Sequence, residues 1–212
     1  MRELRIAGAF SMTPLAHRDD RGAFLEWFRQ DQLASAVGHQ LALEQANCSV
    51  SRRGVIRGIH FTDVPPGQAK YVTCVRGAVL DVVVDLRVGS PTFGSWEAVR
   101  LDDVDRVAVY LGEGLGHGFC ALENDSVVMY LCSSAYNPRR EHAIHPLDPE
   151  LAITWPVTEP MLSPKDASAP SFRDRLEGGH LPTKAACDVW NETLADAARG
   201  FSSPMRPAGA RG

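Results

Sequence analysis

Hydrophobic and polar residues alternate along the middle of the chain, in short segments separated by turn residues. The clearest alternation runs over residues 78–86, where four aliphatic side chains share one face of an extended chain and Asp81 and Asp85 share the other. This period of two predicts a half-buried strand, because successive side chains of a strand point to opposite faces. Directly before it, Arg76-Gly77 predicts a hairpin turn leading from another strand over residues 71–75.

Strand-like segments of this kind recur about every ten residues, and no long helical pattern separates them. They predict strands over residues 43–50, 96–101, 107–111 and 127–132, with the glycine-rich residues 112–118 among the turns. Such spacing is typical of an all-β sandwich or barrel.

Helical patterns are confined to two segments. Residues 30–38 predict a short helix that ends at Gly38, and residues 188–199 predict an amphipathic helix near the C-terminus. Residues 24–28 fit either a strand or the start of a helix. After Pro138 the chain is rich in proline, so we expect irregular structure there.

The length and charge of the chain limit its organisation and its partners. Its 212 residues suffice for one domain with a full core, which we place at residues 1–185, followed by a C-terminal helix and flexible tail over residues 186–212. The net charge of -4 excludes a general electrostatic attraction to nucleic acid or to an anionic membrane. No segment has the pattern of a signal peptide or a transmembrane helix, so we expect a cytoplasmic protein.

The cysteine pattern argues against disulfides and structural zinc. The chain has five cysteines, an odd number, and no Cys-x-x-Cys pair. We therefore expect free, buried thiols in a reducing compartment.

The densest polar cluster is Gly54-Val55-Ile56-Arg57-Gly58-Ile59-His60, followed shortly by Gln68 and Lys70. Alternation places Arg57 and His60 on opposite faces of an extended segment. In a small barrel one of these faces points inward, where a charged group needs a partner or a ligand. The alternative is that Arg57 is a surface charge and His60 a hydrogen-bonded core histidine.

Three further features carry candidate chemistry. His117, in the glycine-rich segment, is either a ligand contact or a turn residue. Tyr130 and Tyr136 are either packing residues of a strand or neighbours in one site. Asp166 follows Ser163-Pro164-Lys165 on a loop, where it either orients a distant histidine or lies in a solvated turn.

A metal site is not expected. The His-x-His pair that holds a metal in many small β-barrels is absent, because Thr62 stands two residues after His60. His142 and His145 lie among charged residues and are interpreted as exposed loop positions.

Several short motifs occur in a fixed order along the chain. They are Asp20-Arg21-Gly22-x-Phe24-x-Glu26, Gln45-x-Asn47-x-Ser49, Gly54-Val55-Ile56-Arg57-Gly58-Ile59-His60, Gln68-x-Lys70, Gly89-Ser90-Pro91-Thr92-Phe93-Gly94, His117-Gly118-Phe119, Tyr130, Tyr136 and Leu162-Ser163-x-Lys165-Asp166. In this order and spacing they resemble the dTDP-4-dehydrorhamnose 3,5-epimerase family over residues 6–170. The resemblance implies a cupin-like jelly-roll β-barrel with short peripheral helices, acting as a homodimer without metal or cofactor.

The resemblance also implies a reaction. The family's substrate is a dTDP-linked 4-keto-6-deoxyhexose, whose C4 ketone acidifies the protons on C3 and C5. By carry-over, His60 is the base and Asp166 orients it. Tyr130 donates a proton on the other face of the sugar, and Lys70 stabilises the enolate oxygen.

Contacts to the nucleotide follow from the same resemblance. Arg57 and Arg21 suit the diphosphate, because guanidinium matches phosphate oxygens in bidentate geometry. Arg21 and Glu26 would reach the site of the neighbouring subunit, and Tyr136 would lie beside the sugar and base. The implied substrate-binding residues are Arg21, Glu26, Gln45, Asn47, Arg57, His117, Tyr136, Glu141 and Lys165.

Some positions depart from the family pattern. Thr62 stands where glutamine is usual, Gly116 where alanine is common, and Cys132-Ser133-Ser134 where a lysine-bearing stretch is usual. These features resemble the branch that makes deoxysugars for antibiotic glycosides, in which some members invert only C3 and others mainly C5. We expect a 3,5-epimerase, with a single-site 3-epimerase or 5-epimerase as the alternative.

Two alternatives come from other classes of protein. One is a metal-dependent cupin oxygenase, and the other is a non-catalytic module that binds a sugar nucleotide. The complete set of implied catalytic residues favours an enzyme over the binding module.

Overall fold

Thirteen strands and four helices form the regular structure of residues 1–201, the part of the chain that the computed structural model describes. The strands are β1 (Arg2–Glu3), β2 (Ala9–Met12), β3 (Ala16–Asp19), β4 (Gly22–Leu25), β5 (Gln45–Ser51), β6 (Ile56–Thr62), β7 (Lys70–Arg76), β8 (Ala78–Asp85), β9 (Trp96–Asp102), β10 (Ala108–Leu111), β11 (Leu115–Ala121), β12 (Ser126–Cys132) and β13 (Glu141–Ala143). The helices are α1 (Gln30–Val37), α2 (Pro164–Ala167), α3 (Phe172–Glu177) and α4 (Lys184–Phe201). The tail expected after α4 lies outside the described residues.

Two antiparallel sheets enclose the core. Their strand orders are β1-β2-β10-β7-β12-β5 and β13-β6-β11-β8-β9, while β3 and β4 form a separate two-stranded hairpin. The first sheet contributes Val72 and Val128 to an apolar cluster that Val83 and Phe119 of the second sheet complete. The all-β, jelly-roll prediction is confirmed, although hydrogen bonding does not close the two sheets into one barrel.

Each sheet is also covered on its outer face. Leu33 of α1 packs with Tyr71 against the six-stranded sheet. Ile144 and Phe172, from the chain after β13, pack with Val82 against the five-stranded sheet. Strands in the middle of both sheets are therefore buried on both sides, which agrees with their valine-rich sequences.

Burial on both sides corrects the prediction for residues 78–86. Asp81 and Asp85 of β8 are 1% and 0% exposed, so this strand is not half-buried. A buried carboxylate requires a partner. Arg87 donates to Asp85 from Nε and Nη2, both at 2.8 Å, and His117 Nε2 donates to Asp81 at 2.7 Å.

The turn at Arg76-Gly77 is present, but the predicted hairpin is wrong. β7 belongs to the six-stranded sheet and β8 to the five-stranded sheet, so the chain crosses between sheets at this turn. Gly77 has φ +70°, and a Cβ there would lie 2.8 Å from Ser126 Oγ. Alternation within each strand predicts its faces and cannot specify which strand it pairs with.

The glycine-rich residues 112–118 are largely strand, which is a second correction. β11 begins at Leu115, lies between β6 and β8, and is buried throughout. A Cβ at Gly116 would lie 2.7 Å from Leu86 Cδ1. The glycine at this position therefore permits close packing inside the sheet, where the sequence alone suggested a turn.

The chain after Pro138 is less irregular than predicted, because it contains β13, α2 and α3. His142 belongs to β13, where its Nε2 donates to Asp63 Oδ1 at 2.6 Å and its ring stacks on Phe61 at 5.2 Å. Its prediction as an exposed loop residue is therefore wrong. His145 does lie in a loop, and it is half-buried.

The remaining predicted elements agree closely with the structure. The strands over residues 43–50, 96–101, 107–111 and 127–132 correspond to β5, β9, β10 and β12. α1 ends where predicted, with Gly38 in the left-handed region at φ +88°. No helix within residues 1–201 combines the length and apolarity needed to cross a bilayer.

Candidate active site

A cavity of about 230 Å³ opens between the two sheets. Both sheets and α2 contribute to its walls. It brings together every predicted site residue except Arg21, Glu26 and Asp166, and the last of these lies directly behind His60. The lining residues are Gln45, Asn47, Arg57, His60, Gln68, Lys70, His117, Phe119, Tyr130, Cys132, Tyr136, Glu141 and Lys165.

His60 on β6 and Asp166 in α2 form a hydrogen-bonded pair. His60 Nε2 donates to Asp166 Oδ1 at 2.7 Å, and Ser163 Oγ donates to Oδ2 at 2.9 Å. Burial alone would raise the pKa of Asp166, but the hydrogen bonds from His60 and Ser163 hold it below its usual range. Asp166 is therefore a carboxylate. It accepts the hydrogen bond from His60 Nε2, so Nδ1 is the ring nitrogen at which His60 can take up a proton.

The helical position of Asp166 corrects the prediction of a loop. Ser163 is the N-cap of α2 and accepts a hydrogen bond from Asp166 N at 3.1 Å. Pro164 occupies the first helical position, where its missing N–H has no cost. The short motif Ser163-Pro164-Lys165-Asp166 therefore fixes the acid in a helical turn beside the histidine.

Arg57 and His60 both face the cavity, although alternation places them on opposite faces. In the pairing of β6 with β11, His60 lies opposite His117 and Arg57 lies opposite Phe119. Three steps along β6 thus match two along β11, so the strands form a β-bulge that reverses the alternation. Gly58 lies inside this bulge at φ +130°. The opposite-face prediction is wrong because regular alternation assumes an unbroken ladder.

Tyr130 reaches the cavity from β12, in the opposite sheet. Its hydroxyl is hydrogen-bonded to Ser49 Oγ at 3.3 Å, and its ring meets the edge of His117 at a centroid distance of 6.0 Å. Burial raises the pKa of Tyr130 far above its usual range, although the hydrogen bond with Ser49 and the charge of Arg57 oppose this. The phenol therefore keeps its proton near neutral pH and can act as an acid.

Positive charge predominates on the cavity wall. Lys70, Arg57 and Lys165 line it, together with one carboxylate, Glu141. The Arg57 guanidinium is held in place, because its Nε donates to Ser51 Oγ at 3.1 Å. This combination suits a bound anion such as a diphosphate.

A chain of amide hydrogen bonds supports the rim of the cavity. The backbone N–H of Tyr136 donates to Gln45 Oε1 at 2.7 Å, and Gln45 Nε2 donates to Asn47 Oδ1 at 2.7 Å. Asn47 Nδ2 donates in turn to Cys132 Sγ at 3.8 Å. The chain holds Tyr136 over the opening, although it lies on an exposed loop after β12.

Arg21 and Glu26 lie outside the cavity. Arg21 is in the turn between β3 and β4, bound to Asp19 at 2.6 Å, with its side chain 90% exposed. Glu26 follows β4 and pairs with Arg29 at 3.3 Å. A single copy of the chain therefore does not bring these two residues to the site.

Sequence reasoning assigned no role to several residues of the site. Gln68 and Cys132 line the cavity, and so does Phe119, which lies two residues after His117 and shares its face of β11. Interpreting residues 112–118 as a strand would have identified Phe119. The buried pairing of Asp81 with His117 had no sequence signal, because an acid between valines also fits a solvated face.

Within residues 1–201, no group of three or more His, Cys, Asp or Glu side chains is placed to hold a metal ion. All five cysteines are free thiols, as predicted, but Cys48 is exposed whereas the other four are buried.

Known proteins similar to the chain agree with this geometry. A sequence profile described as dTDP-4-dehydrorhamnose 3,5-epimerase matches residues 3–174. The chain belongs to the dTDP-4-dehydrorhamnose 3,5-epimerase family. It is accordingly an enzyme of the isomerase class.

Relatives of this epimerase family differ in the number of carbons that their names specify. The dTDP-4-dehydrorhamnose 3-epimerase of Streptomyces niveus is 60% identical over 189 residues, covering 89% of this chain and 91% of its own. The dTDP-4-dehydrorhamnose 3,5-epimerase of Mycolicibacterium smegmatis is 59% identical over 194 residues, covering 91% and 96%. Overall identity therefore does not separate the two reactions.

Solved structures of the epimerase family share the fold. The Mycobacterium tuberculosis rmlC epimerase has a TM-score of 0.90 at 52% identity, covering 91% of this chain and 98% of its own. NovW, a 4-keto-6-deoxy sugar epimerase from the novobiocin cluster of Streptomyces spheroides, has a TM-score of 0.87 at 60% identity, covering 88% and 94%. ChmJ, a 3'-monoepimerase from Streptomyces bikiniensis in complex with dTDP-quinovose, has a TM-score of 0.89 at 50% identity, covering 92% and 99%.

Proposed function

We propose that the chain epimerises dTDP-4-keto-6-deoxyglucose at C3 and C5, in the biosynthesis of a deoxysugar for an antibiotic glycoside. One observation carries the proposal: His60 and Tyr130 reach a single cavity from opposite sheets, and Asp166 holds His60 from behind. Inversion at a carbon requires this arrangement, because the proton leaves one face of the sugar and returns to the other. Relatives named as dTDP-sugar epimerases support the substrate class.

The first step is removal of a proton beside the C4 ketone. His60 Nδ1 takes the proton from C3, and the electron pair of the C–H bond forms an enolate with its charge on the C4 oxygen. The Asp166 carboxylate stabilises the imidazolium that results, through the hydrogen bond of 2.7 Å to Nε2. Lys70 supplies the positive charge that the enolate oxygen needs, and such a contact is worth a rate factor of about 100–1,000.

The second step returns a proton to the other face. Tyr130 is the donor, because its hydroxyl lines the same cavity and burial keeps it protonated. The O–H bond breaks as the new C–H bond forms at C3, and a phenolate remains. A second round at C5 uses the same groups, because the ketone lies between the two carbons.

The nucleotide is held by the residues around these catalytic groups. Arg57 and Lys165 bind the diphosphate, and Tyr136 lies beside the sugar and base at the rim. Gln45 and Asn47 supply amide groups on the same side. The other binding contacts that we propose are His117 and Glu141.

The test is exchange of the C3 and C5 protons in deuterium oxide by a His60→Asn variant. We expect loss of exchange at both carbons with dTDP affinity largely retained, because asparagine offers no base. His142→Asn is the matched control, since it breaks another His–Asp pair that lies outside the cavity, and it should leave exchange unchanged. Exchange retained by His60→Asn would remove His60 as the base.

A single-site 3-epimerase is the second candidate. The 60%-identical relative from Streptomyces niveus, named as a 3-epimerase, favours it. The same groups would act, with only C3 placed between base and acid. Exchange at C3 alone in the wild-type enzyme would select this candidate.

We propose further that the enzyme is a homodimer in which Arg21 and Glu26 act on the partner's site. The hairpin of β3 and β4 that carries Arg21 also exposes Phe24, which is 68% accessible. Aromatic residues such as phenylalanine are enriched at interfaces between proteins. A second copy would bring Arg21 and Glu26 to the cavity, which a single copy does not do.

Subunit mixing tests this arrangement. Arg21→Ala and His60→Asn enzymes, each weakly active alone, are unfolded together and refolded to form hybrids. If Arg21 acts on the partner's site, each hybrid has one intact site, so about a quarter of all sites recover. No recovery, with hybrids present by mass, would place Arg21 at its own subunit's site or at neither.

A further inference from the structure

Within residues 1–201, the Tyr130 hydroxyl is hydrogen-bonded to one side chain, that of Ser49. The two hydroxyl oxygens are 3.3 Å apart. Ser49 lies on β5, diagonal to Tyr130 across the ladder in which Tyr130 pairs with Asn47. β5 is the edge strand of its sheet, and Ser49 itself is half-buried, so part of this residue reaches solvent. Ser49 therefore lies between the tyrosine and the outer edge of the sheet.

One inversion by the proposed reaction leaves both catalytic groups in the opposite protonation state. His60 has gained a proton and is an imidazolium, while Tyr130 has lost one and is a phenolate. Neither group can act again until the imidazolium releases its proton and the phenolate regains one. A buried phenolate is costly, because the same burial raises the pKa of Tyr130. Its reprotonation therefore needs a route from water while the sugar fills the cavity.

We infer that Ser49 is this route. Its hydroxyl passes a proton to the Tyr130 phenolate and takes one from water at the sheet edge, so that one O–H bond breaks as another forms on the same oxygen. The hydroxide that this leaves in the solvent is neutralised by the proton that the His60 imidazolium releases. Ser49 touches no reacting carbon and acts through Tyr130. The inference rests on the proposed function, and it has a consequence for the product: a fast relay lets one bound sugar be inverted at C3 and again at C5, whereas a slow relay releases it after C3.

The experiment compares Ser49→Thr with Ser49→Val, which have the same shape but differ in the hydroxyl, alongside Ser49→Ala. Enzyme and substrate are mixed in deuterium oxide and quenched on the millisecond scale, and label at C3 and C5 is then measured. The first inversion uses the proton already on Tyr130. For Ser49→Val and Ser49→Ala we therefore expect a burst of one product per active site at the wild-type rate, followed by turnover slowed about tenfold or more. KM should stay within about twofold, and the ratio of doubly to singly inverted product should fall in parallel.

Ser49→Thr separates the relay from a structural role. It should restore the later turnovers, because threonine keeps the hydroxyl. If Ser49 only positions Tyr130, the burst itself slows in the variants that lack the hydroxyl, and that result would overturn the inference. Wild-type turnover in all three variants would overturn it as well. Absence of exchange in the wild-type enzyme would instead remove the proposed function, and the relay with it.

Discussion

Replacement of Gly58 by alanine should inactivate the site through the backbone, without altering any catalytic side chain. Gly58 lies in the bulge that turns Arg57 and His60 toward the same cavity. Its φ of +130° is a conformation that residues with a Cβ rarely adopt. A Cβ there would lie 2.5 Å from Gly118 Cα and 2.8 Å from His117 O. Both of these atoms belong to the backbone of β11, so no side-chain rotation relieves the collision.

The size of the effect follows from these distances. Ordinary contacts of a Cβ begin near 3.4 Å, so the two strands must separate by about 1 Å at this point. The conformational strain costs about 1–3 kcal/mol, and forcing atoms into a packed interior costs about 1–3 kcal/mol more. A displacement of about 1 Å at His60 lowers the rate of proton transfer about 100-fold.

Urea unfolding and deuterium exchange measure the two effects separately. Gly22→Ala is the matched control for stability, because Gly22 has φ +127° and a Cβ added there would meet no atom within 4 Å. Both variants carry the conformational strain, so the difference between their unfolding free energies isolates the collision. We expect that difference to be at least about 1 kcal/mol. Equal stability of the two variants, with wild-type exchange in Gly58→Ala, would refute the reasoning.

Three further predictions concern charge. Asp166→Asn should lower the rate of deuterium exchange about 100–10,000-fold at unchanged dTDP affinity, because the His60 imidazolium loses its anionic partner. Calorimetric titration checks the affinity, and exchange at the wild-type rate would contradict the role of Asp166 beside His60. Asp85→Asn should lower the unfolding free energy by about 3–5 kcal/mol, since it leaves the Arg87 charge buried, while exchange per folded molecule stays unchanged; a stability loss below about 1 kcal/mol would contradict this. The free energy of unfolding should fall as the pH rises from 9 toward 11. Burial raises the pKa of three thiols from the ordinary 9.0 to about 11, so the unfolded chain releases their protons at a lower pH than the folded protein does. A urea midpoint that stays constant over this range would contradict the prediction. These thiols are Cys74, Cys120 and Cys187.

The sequence predicts well those features that depend on local pattern. α1 begins at Gln30 and ends before Gly38 as expected, because a glycine in the left-handed region ends a helix through backbone geometry alone. Strand β5 follows from alternation, and strands β10 and β12 follow from their content of valine and tyrosine, which is local as well. The cavity residues were predicted from the order of the motifs. They lie together in the fold, although His60 and Asp166 are 106 residues apart in the sequence.

Features that depend on pairing between distant segments could not be predicted. Gly77 looks the same in sequence whether it joins paired strands or strands in opposite sheets. The bulge at Gly58 arises from its register against β11, and it reverses the faces of Arg57 and His60. The acids of β8 look solvated until the six-stranded sheet covers the face that they share with Val83. Each error thus comes from tertiary context that overrides a correct local pattern.

The most direct test of the central claim is proton NMR of freshly made dTDP-4-keto-6-deoxyglucose with the wild-type enzyme in deuterium oxide, following C3 and C5 separately. Deuterium should enter at both carbons, because base and acid face one cavity from opposite sheets and the ketone activates both positions. The product, after reduction at C4, should have the L-configuration. Folded enzyme that binds dTDP but introduces no deuterium at either carbon would contradict the proposed epimerisation.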